Sequence, residues 1–282
     1  MSISSDGLSQ REIALRFAEH EIDDPEGEAA RIVEAVAAGS ALPLNELVEK
    51  RLSGVPLGQL LGSEIFLGVE MHVSTDVLAP RKETELLGRS AIQRLREDGV
   101  EQPTVIDMCC GGGNLACAIA THLPEARIWA SDITEACVEL ARRNVERLGL
   151  GARVQVLRGD LFSSFENEGL EGKVDLVVCN PPYISTGRLE GDRASLLAHE
   201  PREAFDGGPY GLSIQQRVMR EAVPYVRHGG TLAFEIGLGQ ERQVVALFKR
   251  VKLEGKRAWD EPELVNDSAG QPRVALARRD AS

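Results

Sequence analysis

The run Val174-Asp175-Leu176-Val177-Val178-Cys179 reads as one strand, and it ends in Asn180-Pro181-Pro182-Tyr183-Ile184. Its apolar residues are consecutive rather than alternating, as in a parallel strand covered on both faces. Two successive prolines remove two backbone donors and fix two φ angles, so the strand stops at Asn180. In an open α/β sheet, ligands bind at the carboxyl ends of strands. A carboxamide beside a rigid bend at such an edge suits a planar nitrogen. The Asn180 side chain has an acceptor and donors, and the Pro181 carbonyl adds a second acceptor. The pair can grip both hydrogens of an NH2 group, and Tyr183 offers a ring for stacking. A Pro-rich turn that merely closes a strand is the plainer alternative, and the rest of the chain decides between them.

Three further strands end in chemistry-bearing residues. Thr104 to Met108 is a short buried strand followed by Cys109-Cys110-Gly111-Gly112-Gly113-Asn114 and a helix from Leu115 to Thr121. This glycine-rich turn allows close backbone approach to a ligand, but its spacing is neither a dinucleotide fingerprint nor a phosphate loop. Arg127 to Asp132 is the second strand, with a helix from Thr134 to Arg147. An acid at the end of a second strand suits the two hydroxyls of a ribose; capping the following helix is the alternative. Val154 to Leu157 leads to Asp160-Leu161-Phe162, an acceptor and an apolar wall for a nucleobase, or an ordinary turn aspartate. The strand ends recur at the spacing of βα units, and right-handed crossovers bring them to one edge.

The flanks are less informative. Residues 9–54 read as a small helical unit. Two extended runs meet at Leu67-Gly68 as a hairpin that links this unit to the main domain, and His72 within it is read as structural. Pro80-Arg81-Lys82-Glu83-Thr84-Glu85 opens a helix to about Arg96, with acids placed well for the helix dipole. Residues 184–210 form a long polar loop, a helix is expected over 212–226, a fifth strand over 231–236, a helix over 239–250, and late strands near 255–260 and 272–278.

The 282 residues carry a formal charge of −12, which disfavours a general electrostatic grip on nucleic acid. Five cysteines without a CxxC pair are read as reduced, buried thiols, and no metal site is expected. No signal peptide and no apolar run of membrane-spanning length is found, so the cytoplasm is the expected compartment, without a membrane partner.

Taken in order, these motifs resemble the HemK/PrmC family of S-adenosylmethionine-dependent methyltransferases. The likeness runs from about residue 54 to 280 and includes Pro56-Leu57, the segment from Pro80 to Glu85, the Asp107 glycine loop, Asp132, Asn180-Pro181-Pro182-Tyr183, Glu200-Pro201, Gly207-Gly208 and the stretch from Ala269 to Val274. It departs at Met108-Cys109-Cys110, where the family has Leu-Gly-Thr, at Lys82 in place of proline, at a short N-terminal unit and at Pro209-Tyr210-Gly211. The resemblance implies an α/β class I methyltransferase, with a seven-stranded Rossmann-like sheet whose last strand is antiparallel. It also implies a helical substrate-recognition domain over 1–54, a hairpin linker over 55–80 and a catalytic domain over 81–282.

Carried over by position, Asp107, Gly111 and Gly113 would line the methionine end of S-adenosylmethionine, Asp132 would hold the ribose and Asp160 with Leu161 the adenine, and Cys109, Asn114, Ile133 and Asn180 would also bind the cofactor. Asn180, Pro181, Pro182 and Tyr183 would hold the nitrogen that is methylated. The implied reaction is N5 methylation of a glutamine in a peptide chain release factor. The alternative is a small amino-acid substrate such as arginine, whose cationic guanidinium would call for an acidic pocket built by Glu83, Glu85 and Glu200.

Overall fold

The computed structural model describes residues 8–191, 197 and 201–280. The chain divides into two compact units, one up to Glu64 and one from Ile65 onward. The first contains α1 (Gln10–Glu19), α2 (Pro25–Ala37), α3 (Leu44–Leu52) and α4 (Leu57–Leu61). Ser9 and Glu12 make a reciprocal capping box on α1, and Asp24 with Pro25 starts α2. The apolar faces close on Ile13, Phe17, Ala29, Ile32, Leu47 and Val48, all fully buried. Arg51 reaches Glu28 at 2.6 Å, pinning α3 to α2.

The division falls within β1 (Ser63–Phe66), which pairs with β2 (Val69–His72) in the hairpin expected around Leu67-Gly68. The second unit continues through α5 (Thr84–Glu97), β3 (Thr104–Met108), α6 (Asn114–His122), β4 (Arg127–Asp132), α7 (Glu135–Arg147), β5 (Val154–Arg158) and β6 (Val174–Cys179). After β6 come α8 (Thr186–Glu190), α9 (Ser213–Glu221), β7 (Val226–Glu235), α10 (Glu241–Arg250), β8 (Lys252–Leu253), β9 (Lys256–Arg257), β10 (Glu263–Asn266) and β11 (Pro272–Arg278). The main sheet has seven strands in the order β10-β11-β7-β6-β3-β4-β5. The pairs from β7 to β5 are parallel, and β11 runs antiparallel between β7 and β10, as the resemblance implies.

Side-chain alternation sorts the core into two layers. Val105, Leu176 and Val178 pack with Leu87, Ala116, Ile119 and Val138 on the face covered by α5, α6 and α7. Ile106, Met108 and Val177 pack with Val218, Met219, Val244 and Phe248 on the face covered by α9 and α10. Asp175, the one acid in β6, is satisfied at the far end of the strand by the Thr104 amide at 2.8 Å and the Arg227 guanidinium at 2.5 Å.

Two expectations are corrected. The helix expected to reach 226 stops at Glu221, since Pro224 cannot continue it and disfavours helical backbone at Val223; β7 therefore begins at Val226. The strand expected near 255–260 is a small exposed hairpin, β8–β9, and the edge strand of the sheet lies at Glu263–Asn266 instead. Lys252, Leu253, Lys256 and Arg257 are all exposed, so they have no apolar face to add to the sheet. Among the described residues, no helix is long and apolar enough to cross a membrane.

One buried amide joins three segments behind the site. Asn144 of α7 accepts from the His72 N–H at 2.7 Å and donates to the carbonyls of His72 at 3.1 Å and Gly112 at 2.9 Å. It thereby clamps β2 and the glycine loop to α7. Asn144→Leu fills the volume but leaves these backbone groups without partners, and should lower the unfolding free energy by about 2–4 kcal/mol in urea titration.

Candidate active site

Strand register assembles the site. Met108 lies opposite Ser131 of β4 and Cys179 of β6, so the residues that follow, Cys109, Asp132 and Asn180, leave the sheet side by side. Asp132 lies opposite Arg158, which brings the chain after β5 to the same edge. A cavity of 590 Å³ opens there, within the range usual for small-ligand sites. Its walls include Met108, Cys109, Gly111, Asp132, Ile133, Asp160, Leu161, Asn180 and Pro182.

The glycine loop is held from below and from the side. The Cys110 N–H donates to the Ser131 carbonyl at 3.0 Å, and the Gly111 N–H to Asp132 Oδ2 at 3.0 Å. Asp132 Oδ1 accepts from the Thr134 N–H at 3.1 Å, while Thr134 itself caps α7 by accepting from Cys137. Asp132 therefore braces the loop and leaves the helix cap to Thr134. At Gly113 a positive φ of 78° and the Ala141 Cβ, 3.1 Å from where a side chain would begin, both require glycine. Cys109 adopts a φ of +58°, a left-handed conformation that costs a non-glycine residue about 1–2 kcal/mol.

Asp107 is fully buried beneath this loop. Its Oδ2 accepts from the Ala116 N–H at 2.9 Å, and its Oδ1 has no partner. Burial pushes its carboxyl up to about 8, opposed by the Ala116 hydrogen bond and helped by the nearby Asp132. An unpartnered buried oxygen beside a glycine cradle, with Asp132 and Asp160 on the walls, suits a cationic ligand with a ribose and a base. The residues present thus fit S-adenosylmethionine. Among the described residues, no group of three or more His, Cys, Asp or Glu side chains is placed to hold a metal ion.

The expected residues meet different fates. Cys109, Gly111, Asp132, Ile133, Asp160, Leu161, Asn180 and Pro182 line the cavity; Gly113 and Asn114 lie behind it at the start of α6, and Pro181 is buried. Asp160 has a partner that the sequence did not disclose: Arg217 of α9 grips both its oxygens, at 3.0 and 3.1 Å. Each oxygen keeps a further lone pair. Glu85 is engaged away from the cavity, accepting from the Leu67 N–H at 2.9 Å and pairing with Arg89 at 2.8 Å. Glu83 is exposed at the start of α5, and Glu200 lies outside the described residues. Tyr183 is not on the cavity wall, so the stacking expected of it meets a competing engagement: its hydroxyl donates to the buried Glu235 at 3.0 Å. Two of the five cysteines, Cys109 and Cys137, are half-buried on the cavity wall, and the other three are buried as expected.

Several neighbours were not legible in sequence. Asn180 Nδ2 donates to Thr84 Oγ1 at 3.1 Å, across 96 positions of chain. Gln240 Nε2 holds the Tyr183 carbonyl at 2.9 Å and, with Gly211 packed against the same carbonyl, fixes the bend after the prolines. Thr186, Arg202 and the Gly208 N–H all donate to Asp206, which holds its carboxyl below the usual range and closes the loop beside the cavity. Only the segment from Pro80 to Glu85 gave a signal, and there the acids drew attention rather than the threonine.

The methyltransferase small domain model matches residues 84–255. A release factor glutamine methyltransferase from Moorella thermoacetica is 37% identical over 250 residues, which are 89% of this chain and 84% of that protein. A 4-amino-L-phenylalanine/4-methylamino-L-phenylalanine methyltransferase from Streptomyces pristinaespiralis is 37% identical over 72% of this chain and 68% of its own length. The solved T. thermophilus 16S rRNA N2 G1207 methyltransferase, in complex with AdoMet and guanosine, has a TM-score of 0.54 at 20% identity, covering 77% of this chain and 49% of that one. At that identity the likeness is one of fold.

Asp107 makes a prediction in the ligand-free protein. Because its folded pKa is raised, the folded state holds a proton that the unfolded chain releases between about pH 4 and pH 8, so this group erodes stability as pH rises through that window. Asp107→Asn keeps the acceptor for Ala116 and removes the buried charge. Its Tm should exceed that of the parent at pH 8, by about 2–4 °C per kcal/mol relieved, and the gain should vanish towards pH 4 in thermal melts.

Proposed function

We infer the activity from kinship, for this chain belongs to the release factor glutamine methyltransferase family: it is an S-adenosylmethionine-dependent methyltransferase that methylates the side-chain amide of glutamine, N5, in a peptide chain release factor. The observation that carries the reading to this site is Asn180 on the wall of the cavity, at the carboxyl end of β6 and beside the proline bend.

When bound, S-adenosylmethionine supplies an electrophilic methyl group on a sulfonium. Asp107, Cys109, Gly111, Gly113 and Asn114 would surround its methionine end, Asp132 and Ile133 its ribose, and Asp160 with Leu161 its adenine. An amide nitrogen is a poor nucleophile, because its lone pair is delocalised into the carbonyl. Asn180 Oδ1 and the Pro181 carbonyl would each accept one hydrogen of the substrate NH2, turning the nitrogen so that its lone pair faces the methyl. Positioning of this kind supplies several kcal/mol, up to about 7–11 in well-oriented intramolecular reactions.

The acidic pocket that a guanidinium would need is not assembled by Glu85, whose oxygens are occupied by Leu67 and Arg89. The named relatives favour the amide of a protein substrate over free arginine. The helical unit over 1–54 would recognise that substrate, with 55–80 as the linker and 81–282 as the catalytic domain. The net charge of −12 supports a protein rather than a nucleic-acid partner, and the expected compartment is the cytoplasm.

Labelled S-adenosylmethionine incubated with release factor, free glutamine and free arginine should mark the release factor alone. Label on a free amino acid and none on the release factor would overturn the substrate. Asn180→Ala should lower the rate by about 10²–10³-fold, as loss of one positioned polar partner does elsewhere, with the Kd for S-adenosylmethionine changed less than about threefold.

A further inference from the structure

The polar groups beneath Asn180 form a connected set drawn from four segments of the second unit. Thr84 begins α5, Tyr183 follows the prolines, Glu235 ends β7 and Arg273 lies near the start of β11. Thr84 and Glu235 are 2% and 3% exposed, so their partners must be found within the protein. Glu235 Oε1 accepts from the Tyr183 hydroxyl at 3.0 Å and faces the Arg273 guanidinium at 3.6 Å. Glu235 Oε2 has no hydrogen bond of good geometry, and the Thr84 hydroxyl is the neighbour that opposes the upward shift of its carboxyl most strongly.

Thr84 has one hydroxyl hydrogen, and that proton decides the orientation of the amide next door. Its oxygen accepts from Asn180 Nδ2, so its hydrogen is free to point at Glu235 whenever that carboxyl is ionised. If the Asn180 amide were flipped, Oδ1 would face Thr84 Oγ1 and the hydroxyl would have to donate to it. Glu235 Oε2, which has no other hydrogen bond in the structure, would then also lose the neighbouring Thr84 hydrogen as a donor while staying buried. A buried carboxylate thus selects between two amide orientations that pack equally well.

We propose that Glu235, acting through Thr84 and braced by Tyr183, is a positioning residue that holds the Asn180 amide with Oδ1 turned towards the substrate nitrogen. This rests on the methyltransferase reading above. It assigns Tyr183 to the support of the grip rather than to contact with the substrate. It also gives the site its preference for a donor: an outward-facing oxygen accepts from NH2 and repels a carbonyl.

The set is also pH-dependent. The charged and titratable groups around Glu235 are Tyr183, Arg273 of β11 and Glu83 of α5; burial and Glu83 raise its carboxyl, while Thr84, Arg273 and Tyr183 lower it, with a net upward shift. Protonation as pH falls through the folded pKa turns Glu235 from acceptor to donor and frees the Thr84 hydrogen for Asn180. Activity at saturating S-adenosylmethionine should fall on the acid side for this reason.

Thr84→Val and Thr84→Ser separate the hydroxyl from its volume. The first readout needs no substrate: the Asn180 side-chain NH2 resonances in ¹⁵N-labelled protein. Thr84→Ser should leave their positions and slow exchange near those of the parent, whereas Thr84→Val should shift them and speed exchange. In turnover, Thr84→Val should lower kcat by about 10–10²-fold, the scale of a small misplacement, with KM for the release factor and Kd for S-adenosylmethionine within about twofold. Thr84→Ser should restore most of kcat, and Glu235→Gln should remove the acid limb of the kcat profile. Unchanged Asn180 resonances in Thr84→Val, or equal kcat in the two Thr84 variants, would overturn the proposal. A parent enzyme that fails to methylate release factor while the Asn180 resonances respond as described overturns the substrate and leaves the positioning role standing.

Discussion

Backbone pairing of β3 with β4 on one side and β6 on the other is the interaction on which the site depends. It sets Asp107 in one row with Ala130 and Val178, and Met108 with Ser131 and Cys179. Each strand then turns out of the sheet within one or two residues. The glycine loop, Asp132 and Asn180 share an edge because of this register: a slip by one residue would move each side chain to the opposite face and misfit both core layers. Asn144 and Asp132 act on top of that register. They hold the loop to the hairpin and to β4 by hydrogen bonds that reach across chain segments distant in sequence.

Two buried acids sit close to the cavity and differ in how they are satisfied. Asp107 has one backbone donor and one bare oxygen, and burial raises its carboxyl to about 8. Glu235 is surrounded by a tyrosine, a threonine and an arginine, which offset part of the same desolvation. The first arrangement leaves a buried oxygen without a partner beneath the glycine loop. The second is closed within the protein and so orients its neighbours instead. Buried groups of either kind cost stability when unpaired, and both lie at the carboxyl edge of the sheet.

Relatives of this chain carry names with different substrates. One is a release factor glutamine methyltransferase and another acts on 4-amino-L-phenylalanine, at equal identity to this chain. On the reading proposed above, the set around Asn180 would hold the substrate nitrogen, and the surfaces around it would select the molecule that reaches it. In this chain Pro209-Tyr210-Gly211 follows the paired glycines, and Tyr210 is 83% exposed beside the bend that Gln240 fixes.

Periodicity and turn chemistry determined most of the fold. Consecutive apolar residues marked the buried strands, glycine and proline marked their ends, and the spacing of strand ends implied crossovers with a shared edge. The errors fell where local signals were weak: at Pro224, which ended a helix early, and at residues 252–257, where Leu253 is the one apolar residue and no apolar face marks a strand of the sheet. Asn180 and the glycine loop were legible because a rigid bend or a special backbone conformation needs particular residue types. The partners of Asn180, Asp160 and Tyr183 were not, since Thr84, Arg217 and Glu235 are ordinary residues at 96, 57 and 52 positions' remove. Sequence specifies the residues that must be special by themselves. The tertiary structure alone decided which ordinary side chains came to lie against them, because burial at a shared sheet edge is what turns a threonine hydroxyl and a carboxylate into obligatory partners.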